Sequence, residues 1–243
     1  MSNYSGFAHY YDRYAEEFDY EQWYRYLKAV GKIEDARGKR ILDLGCGTGI
    51  LLCEFIQEGA EAVGVDSSAD MLAEADQKLF LLHKKAELIQ CDISKLSIDR
   101  TFDLIYSTCD TINYLNSGQL ESLICNVAHM LGSGGRFTCD LLNRDNFSLP
   151  EETDEFQIDE VKFTFHRKIG KNTLRTQLVI ADGAYVLRED HLQYFHSVET
   201  LERFAMQNGM RVVGTYRIYG FDEPDSDAEK IQIVLEKAEI NIN

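Results

Sequence analysis

The sequence predicts an α/β chain: a doubly wound, mostly parallel sheet of seven strands with an antiparallel β lid inserted late in the chain. Three observations carry that prediction. An apolar run breaks into a glycine-rich turn at Ile41 to Gly49 (ILDLGCGTG), successive strand-like runs close on the acids Asp43, Asp66 and Asp92, and Phe147 to His196 alternates as antiparallel strands do. The same signals divide the chain into an N-terminal helical cap (1–36), an α/β core (37–146), the lid (147–196) and a closing segment (197–243) with a helix and the last two strands.

Taken in order, Tyr4 to Val30 is crowded with aromatic residues, among them Phe7, Tyr10, Tyr11, Tyr14, Phe18, Tyr20, Trp23, Tyr24 and Tyr26. Tyr10 with Tyr14, and Trp23 with Leu27 and Val30, recur at helical spacing, which predicts two amphipathic helices joined near Asp19. Arg40 to Leu44 is short and apolar enough for a strand buried on both faces. Gly45, Gly47 and Gly49 then permit positive φ and the close approach of a ligand, delivering the chain to a helix over Ile50 to Gln57 that Gly59 stops. EAVGVDSS reads as the second strand, ending at Asp66. A serine-capped helix follows, with the apolar stripe Met71, Leu72, Ala75 and Leu79. AELIQCDI closes the third strand at Asp92. TFDLIYSTCDTINYL supplies the fourth: Phe102, Leu104 and Ile105 bury, and Thr108, Cys109, Asp110 and Asn113 emerge where the strand ends. Gln119 to Leu131 is a helix on Leu120, Leu123, Ile124 and Val127. Gly132, Gly134 and Gly135 turn the chain into strand Arg136 to Leu142. Breaks at Gly170-Lys171-Asn172 and Asp182-Gly183 divide the lid into a meander. Ser197 caps a helix over Val198 to Gln207, Gly209 stops it, and strands near Arg211 to Tyr219 and Ile231 to Glu236 finish the sheet.

In a doubly wound sheet the carboxyl ends of neighbouring strands line one crevice, so Asp43, Asp66 and Asp92 are expected to converge. Their chemistry suits a nucleoside with an amino-acid tail. Asp66 can accept from both ribose hydroxyls, Asp92 from an adenine amino group, and Asp43 can favour a cationic tail through its charge or a water. A dehydrogenase-type GxGxxG turn fits less well, because its sixth position here is Ile50.

The pattern DxGxGxG, complete at Asp43, Gly45, Gly47 and Gly49, together with the later turn LGSGGRF, resembles the class I S-adenosylmethionine (SAM) dependent methyltransferases. The opening YYDRYAEEFDYEQW is similar to the small-molecule, YqeM-like members. That resemblance implies a Rossmann-like sheet, SAM as cofactor and a small-molecule methyl acceptor. It also implies N-terminal helices folded over the cofactor, with Tyr10, Tyr14 and Trp23 walling it in; the alternative is that these rings are core. Cys46, Ser67, Met71, Ile93, Thr108 and Cys109 are expected beside the cofactor with the glycines and acids. Asp110 and Asn113 stand at the strand end that faces the acceptor in such enzymes, where ordinary turn chemistry explains them equally well. His191, Tyr194 and His196, just before the last helix, are further acceptor-side candidates. No general base is assigned.

The formal net charge is −16, from 41 acidic against 25 basic side chains, with no basic run long enough to track a phosphate backbone. Nucleic acid is therefore not an expected partner. An RNA or protein methyltransferase remains the alternative, weakened by the absence of an NPPY tetrapeptide, and a SAM-binding protein without transferase activity is a third. The six cysteines form no CxxC pair and no cluster with histidine, so neither a metal nor a disulfide is expected. Without a signal pattern or an apolar run of bilayer length, a cytoplasmic protein is expected. Monomer and homodimer both stay open.

Overall fold

The computed structural model describes residues 6–16, 18–218, 220–225 and 227–238; Tyr4 and Tyr219 lie outside them. Its central sheet is built from β1 (Arg40–Leu44), β2 (Glu61–Asp66), β3 (Glu87–Gln90), β4 (Phe102–Ser107) and β5 (Leu131–Leu142), joined near the C-terminus by two further strands. The lid lies between: β6 (Glu151–Ile158), β7 (Val161–Ile169), β8 (Thr173–Asp182) and β9 (Tyr185–Tyr194). β10 (Met210–Arg217) and β11 (Lys230–Lys237) then complete the sheet of seven, in the order β10-β11-β5-β4-β1-β2-β3. β11 pairs antiparallel with both neighbours, whereas β1 to β5 pair in parallel.

Parallel strands buried on both faces must be apolar on both, and β1 and β4 are. Ile41, Leu104 and Tyr106 face one layer, formed by α2 (Tyr20–Val30), α3 (Ile50–Glu58) and Leu79 of α4 (Ala69–Leu81). Leu42, Leu44 and Ile105 face the other, formed by α5 (Ser117–Met130) and α6 (Val198–Gln207). The chain order reverses between β1 and β4, and the strand ends on either side of that point open the crevice where doubly wound sheets hold ligands.

Several boundaries differ from the sequence reading for local reasons. α5 begins at Ser117, because Asn116 caps it and Gln119 closes a capping box; Gly118, a poor helix former, had masked that first turn. β5 starts at Leu131 through an irregular pairing, Phe102 to Leu131 and then Leu104 to Arg136. The lid turns between β6 and β7 at Asp159, which takes positive φ without glycine. An aspartate in the left-handed region leaves no Gly or Pro signature to read.

The short helix α1 (Ala8–Ala15) packs on the lid. Phe7, Val161, Phe163, Leu178 and Ile180 form a separate apolar cluster there, with Tyr10, Tyr11, Tyr14, Phe156 and Phe165 against it. α1 is also tied to the core. Asp12 accepts from Thr48 Oγ1 and lies 2.7 Å from Lys78 Nζ, which latches the cap across the glycine turn. Among the described residues no helix is long and apolar enough to cross a membrane, no group of acids, cysteines and histidines could hold a metal, and the cysteines are free.

Candidate active site

The cleft at the carboxyl ends of β1, β2 and β4 encloses about 310 Å³. The glycine turn forms its floor. Gly45 N and Cys46 N donate to Val65 O at 2.7 and 3.0 Å, which fastens the turn to β2. Gly47 N donates to Asp66 Oδ2 at 2.9 Å and Ser68 N to Asp66 Oδ1 at 2.8 Å, so one carboxylate organises both loops. Gly45, Gly47 and Gly49 have φ of 81°, 52° and 76°. At Gly45 an added Cβ would sit 2.4 Å from Thr111 Cγ2, so this position excludes a side chain by conformation and by space. Gly45→Ala is accordingly expected to cost about 2 kcal/mol of stability, read by urea denaturation, as the Thr111 loop is pushed out of register.

Asp43 lies under this floor, buried, and its Oδ2 accepts from Tyr106 Oη at 2.8 Å. Burial pushes its carboxyl up to about 8; the Tyr106 hydroxyl works the other way, and the Asp66 charge adds to the rise. Burial also raises Asp66 above the usual carboxylate range, against the Ser68 and Gly47 amides. Asp92 is more open. Burial would raise it, but Ser94 donates to Oδ1 through its amide and hydroxyl at 3.0 and 2.7 Å, and with Lys95 holds it below the ordinary value.

Asp43, Gly45, Cys46, Gly47, Asp66, Ser67, Met71, Asp92, Ile93, Thr108 and Cys109 all line this cleft. Gly49 does not: it is the N-cap of α3, where its left-handed backbone fits against Ala75 and leaves the helix without a side-chain cap. Three expected wall residues do not line this cleft, although Tyr14 and Trp23 line the cavity beside it. Tyr10 turns to the lid, where its hydroxyl donates to Asp182 at 3.2 Å; Tyr14 stacks on Phe156 at 5.7 Å; and Trp23 is buried between α2 and the sheet. The reason is that α1 docks on the lid, which takes the stripe containing Tyr10 and Tyr14. Tyr11 and Tyr20 line the cleft instead. Rings on nearly every side of α1 hid which face would be used.

A second cavity of about 430 Å³ adjoins the first under the lid, and Tyr11, Cys109 and Tyr114 line both. Its walls are aromatic, with Tyr14, Phe18, Trp23, Phe147 and Phe165, and its base is charged. There Asp110 pairs with Lys230, accepts from Gln193 Nε2 at 2.6 Å, and donates its amide to Asp140 at 2.8 Å. His191 lines this cavity as well.

Asn113 and Tyr194 line neither cavity. Asn113 is fully buried; its Nδ2 donates to Tyr194 O at 2.8 Å and its Oδ1 accepts from Leu142 N at 3.2 Å, so it clips lid, loop and β5 together. Tyr194 offers its carbonyl to that clip, and its side chain lines neither cavity. His196 bonds Leu115 O at 2.8 Å, and burial lowers its pKa. Tyr11, Tyr20, Tyr114, Gln193 and Lys230 are not singled out in the sequence reading. Lys230 is 120 positions from its partner Asp110, and no spacing rule links them.

Residues 41–135 match the methyltransferase domain family. The chain is 25% identical to YqeM, a provisionally named methyltransferase of Bacillus subtilis strain 168, over 97% of each chain. A provisionally named methyltransferase of Geobacillus sp. strain WCH70 is 32% identical over 140 residues, 57% of each chain. Among solved structures, an S-adenosylmethionine-dependent methyltransferase from Clostridium acetobutylicum is 26% identical, with a TM-score of 0.85 over 97% of this chain and 99% of that one.

Proposed function

Since this chain belongs to the class I SAM-dependent methyltransferases and takes SAM as its cofactor, we propose that it methylates a small organic molecule held in the cavity beneath the lid. The observation that carries this reading is the pair of adjoining cavities with Tyr11, Cys109 and Tyr114 as shared wall. Two reactants seated on either side of such a wall meet in one orientation. A volume of about 430 Å³ lies in the range of small-molecule sites.

The residues of the cleft suit the cofactor. The glycine floor leaves a Cβ-free cradle, and the amides opening α3 have no side-chain cap to compete with a carboxylate. We assign Asp66 to the ribose hydroxyls, Asp92 to the adenine amino group and Asp43 to the charge of the amino-acid tail, with Tyr11 and Tyr20 excluding water. When bound, SAM supplies an electrophilic methyl group on a good leaving group. The protein's task is then alignment: Tyr11, Cys109 and the Asp110 loop hold the acceptor atom roughly 3 Å from the transferred carbon, and orientation of this kind supplies several kcal/mol. A base is needed only where the acceptor carries a proton to lose.

Calorimetry with SAM and S-adenosylhomocysteine (SAH), followed by a screen for SAH release with amines, alcohols, phenols and carboxylic acids, tests the reading. Binding of both ligands and turnover with a small acceptor is the expected result. Turnover confined to RNA or protein added to the same screen would overturn the acceptor class, and absence of binding would overturn the site.

The protonation of Asp43 adds a prediction. In the free protein it is neutral below about pH 8, whereas a cationic tail favours the ionised form and lowers its pKa in the complex. Binding therefore releases protons, and affinity for SAH rises with pH from about 6 to 8, then levels off. Asp43→Asn removes most of that slope. Calorimetry in buffers of different ionisation enthalpy reads the proton release directly, and a pH-independent affinity in the native protein would refute the assignment.

A further inference from the structure

Three side chains run in a line from a carboxylate on the lid to the wall shared by the two cavities. Glu189 and His191 are two apart on β9 and so project from the same face of the strand. Glu189 Oε2 lies 3.4 Å from His191 Nε2, and His191 Nδ1 lies 3.2 Å from Tyr114 Oη. The two lid side chains are largely withdrawn from water, at 10% and 5% exposure. Tyr114 ends a turn of 3-10 helix, Thr111–Tyr114, directly after the strained loop that follows β4. The Tyr114 and His191 rings meet edge-on, with centroids 6.0 Å apart and planes at 72°.

Pairs of buried polar groups often do no more than satisfy each other. This line differs in where it ends, because Tyr114 contributes to the cofactor cleft and to the cavity beside it. Glu189 has a second duty. Its Oε1 accepts from Gly6 N and Phe7 N at 3.1 and 3.0 Å, so the carboxylate that faces the imidazole also holds the segment from which Tyr11 enters the cleft. Burial works against the charge on Glu189, but His191 and these two amides outweigh it and keep the carboxyl below its ordinary range.

We propose that Tyr114 is the catalytic residue that receives the acceptor's proton, with His191 and Glu189 as positioning residues behind it, so that the acceptor is a molecule whose methylated nitrogen or oxygen carries hydrogen. This rests on the small-molecule reading above. The acceptor's lone pair forms the new bond to the methyl carbon while the S–C bond breaks and leaves its electron pair on sulfur. The acceptor's proton passes to Tyr114 Oη as the phenolic proton passes to His191 Nδ1. One positive charge, on the sulfonium at the start, ends on an imidazolium beside Glu189. The resting imidazole must then carry its proton on Nε2, which is the tautomer a carboxylate at that nitrogen favours. Acceptors without such a proton, for instance a tertiary amine or a thioether, gain nothing from the relay.

The test uses the full chain with bound SAH and ¹⁵N-labelled histidine. The chain has six histidines, and His191→Asn identifies the resonance in question. The expected result is an Nε2-protonated imidazole with Nδ1 accepting a hydrogen bond, a downfield shift of Nδ1 in Tyr114→Phe, and loss of the single tautomer in Glu189→Gln. An Nδ1-protonated ring in the native protein, or an Nδ1 resonance unmoved in Tyr114→Phe, overturns the relay. With the acceptor found in the screen, Tyr114→Phe lowers kcat about 100-fold and leaves KM for SAM within about threefold; an unchanged kcat overturns the assignment. Failure of the native chain to bind SAH would strike the reading beneath the proposal, whereas bound SAH with the wrong tautomer strikes the relay alone.

Discussion

Asp66→Ala is expected to weaken SAM and SAH binding by about 100-fold or more while the protein stays folded. A carboxylate accepting two hydroxyls makes two charge-assisted hydrogen bonds, each about 1.5–3 kcal/mol, and about 1.4 kcal/mol is a factor of ten. The alanine also releases Gly47 N and Ser68 N, both of which donate to Asp66 in the free protein. The glycine floor and the start of α4 thus lose their common anchor along with the ligand contact. Asp66→Asn separates the two effects. Its amide oxygen still serves one loop amide but carries no charge, so its affinity falls between those of the native protein and the alanine variant. Calorimetry measures both variants, with circular dichroism as the check on folding. An alanine variant that binds within about threefold of the native affinity would remove Asp66 from the site.

The contrast between Asp66 and Lys230 shows what the sequence reveals. Asp66 closes an apolar run, stands a fixed distance after a glycine turn and belongs to a strand next to β1, so periodicity and topology together bring it to the crevice. The parallel sheet, the helix stripes and the lid hairpins marked by Gly170 and Gly183 were legible in the same way, because each is written in local spacing. The aromatic cap was not. Helical periodicity establishes that α1 is amphipathic, but with rings on most of its faces only the docking partner decides that Tyr10 and Tyr14 serve the lid and Tyr11 the cleft. Asn113 was ambiguous for a related reason. Turn residues and site residues share a composition, and only the observation that both ends of its amide are occupied settles it as a clip. Lys230 carried no signal at all: its significance comes from strand β11 lying beside β5, a pairing across the whole lid insertion.

Lys230→Met is expected to destabilise the protein by about 3–5 kcal/mol at pH 8, the usual cost of leaving a buried charge without its counter-ion: Lys230 and Asp110 are half-buried, and Asp140 beside them is fully buried. In a chain of this length that corresponds to a fall in Tm of roughly 6–20 °C. Lys230 Nζ pairs with Asp110 Oδ1 and lies 3.5 Å from Asp140 Oδ2. Asp140 is 1% exposed and its Oδ1 has no hydrogen-bond partner among the described residues. Burial pushes the Asp140 carboxyl up to about 6 even with the ammonium beside it, and Asp110 is held below the usual range against its own burial, with Lys230 the largest opposing influence. Without the cation, two carboxylates share one buried position, and the easier course is for one of them to take up a proton. Both pKa values then rise relative to the native protein, Asp140 further above its unfolded value and Asp110 up from below it. The penalty is full at high pH and shrinks as pH falls and protonation becomes free. Urea denaturation at pH 8 and pH 5.5 should therefore give a smaller deficit at the lower pH, and an equal deficit at both would show that Lys230 contributes packing alone. Activity is expected to fall further than stability. Cys109 and Asp110 both hold positive φ, at 58° and 52°, without glycine, a strain of order 1–3 kcal/mol each that persists only while the surroundings impose it. The ion pair to Lys230, the Gln193 bond and the amide bond to Asp140 are those surroundings. Removing the first lets the loop relax, and the wall shared by the two cavities is the part of the molecule that moves.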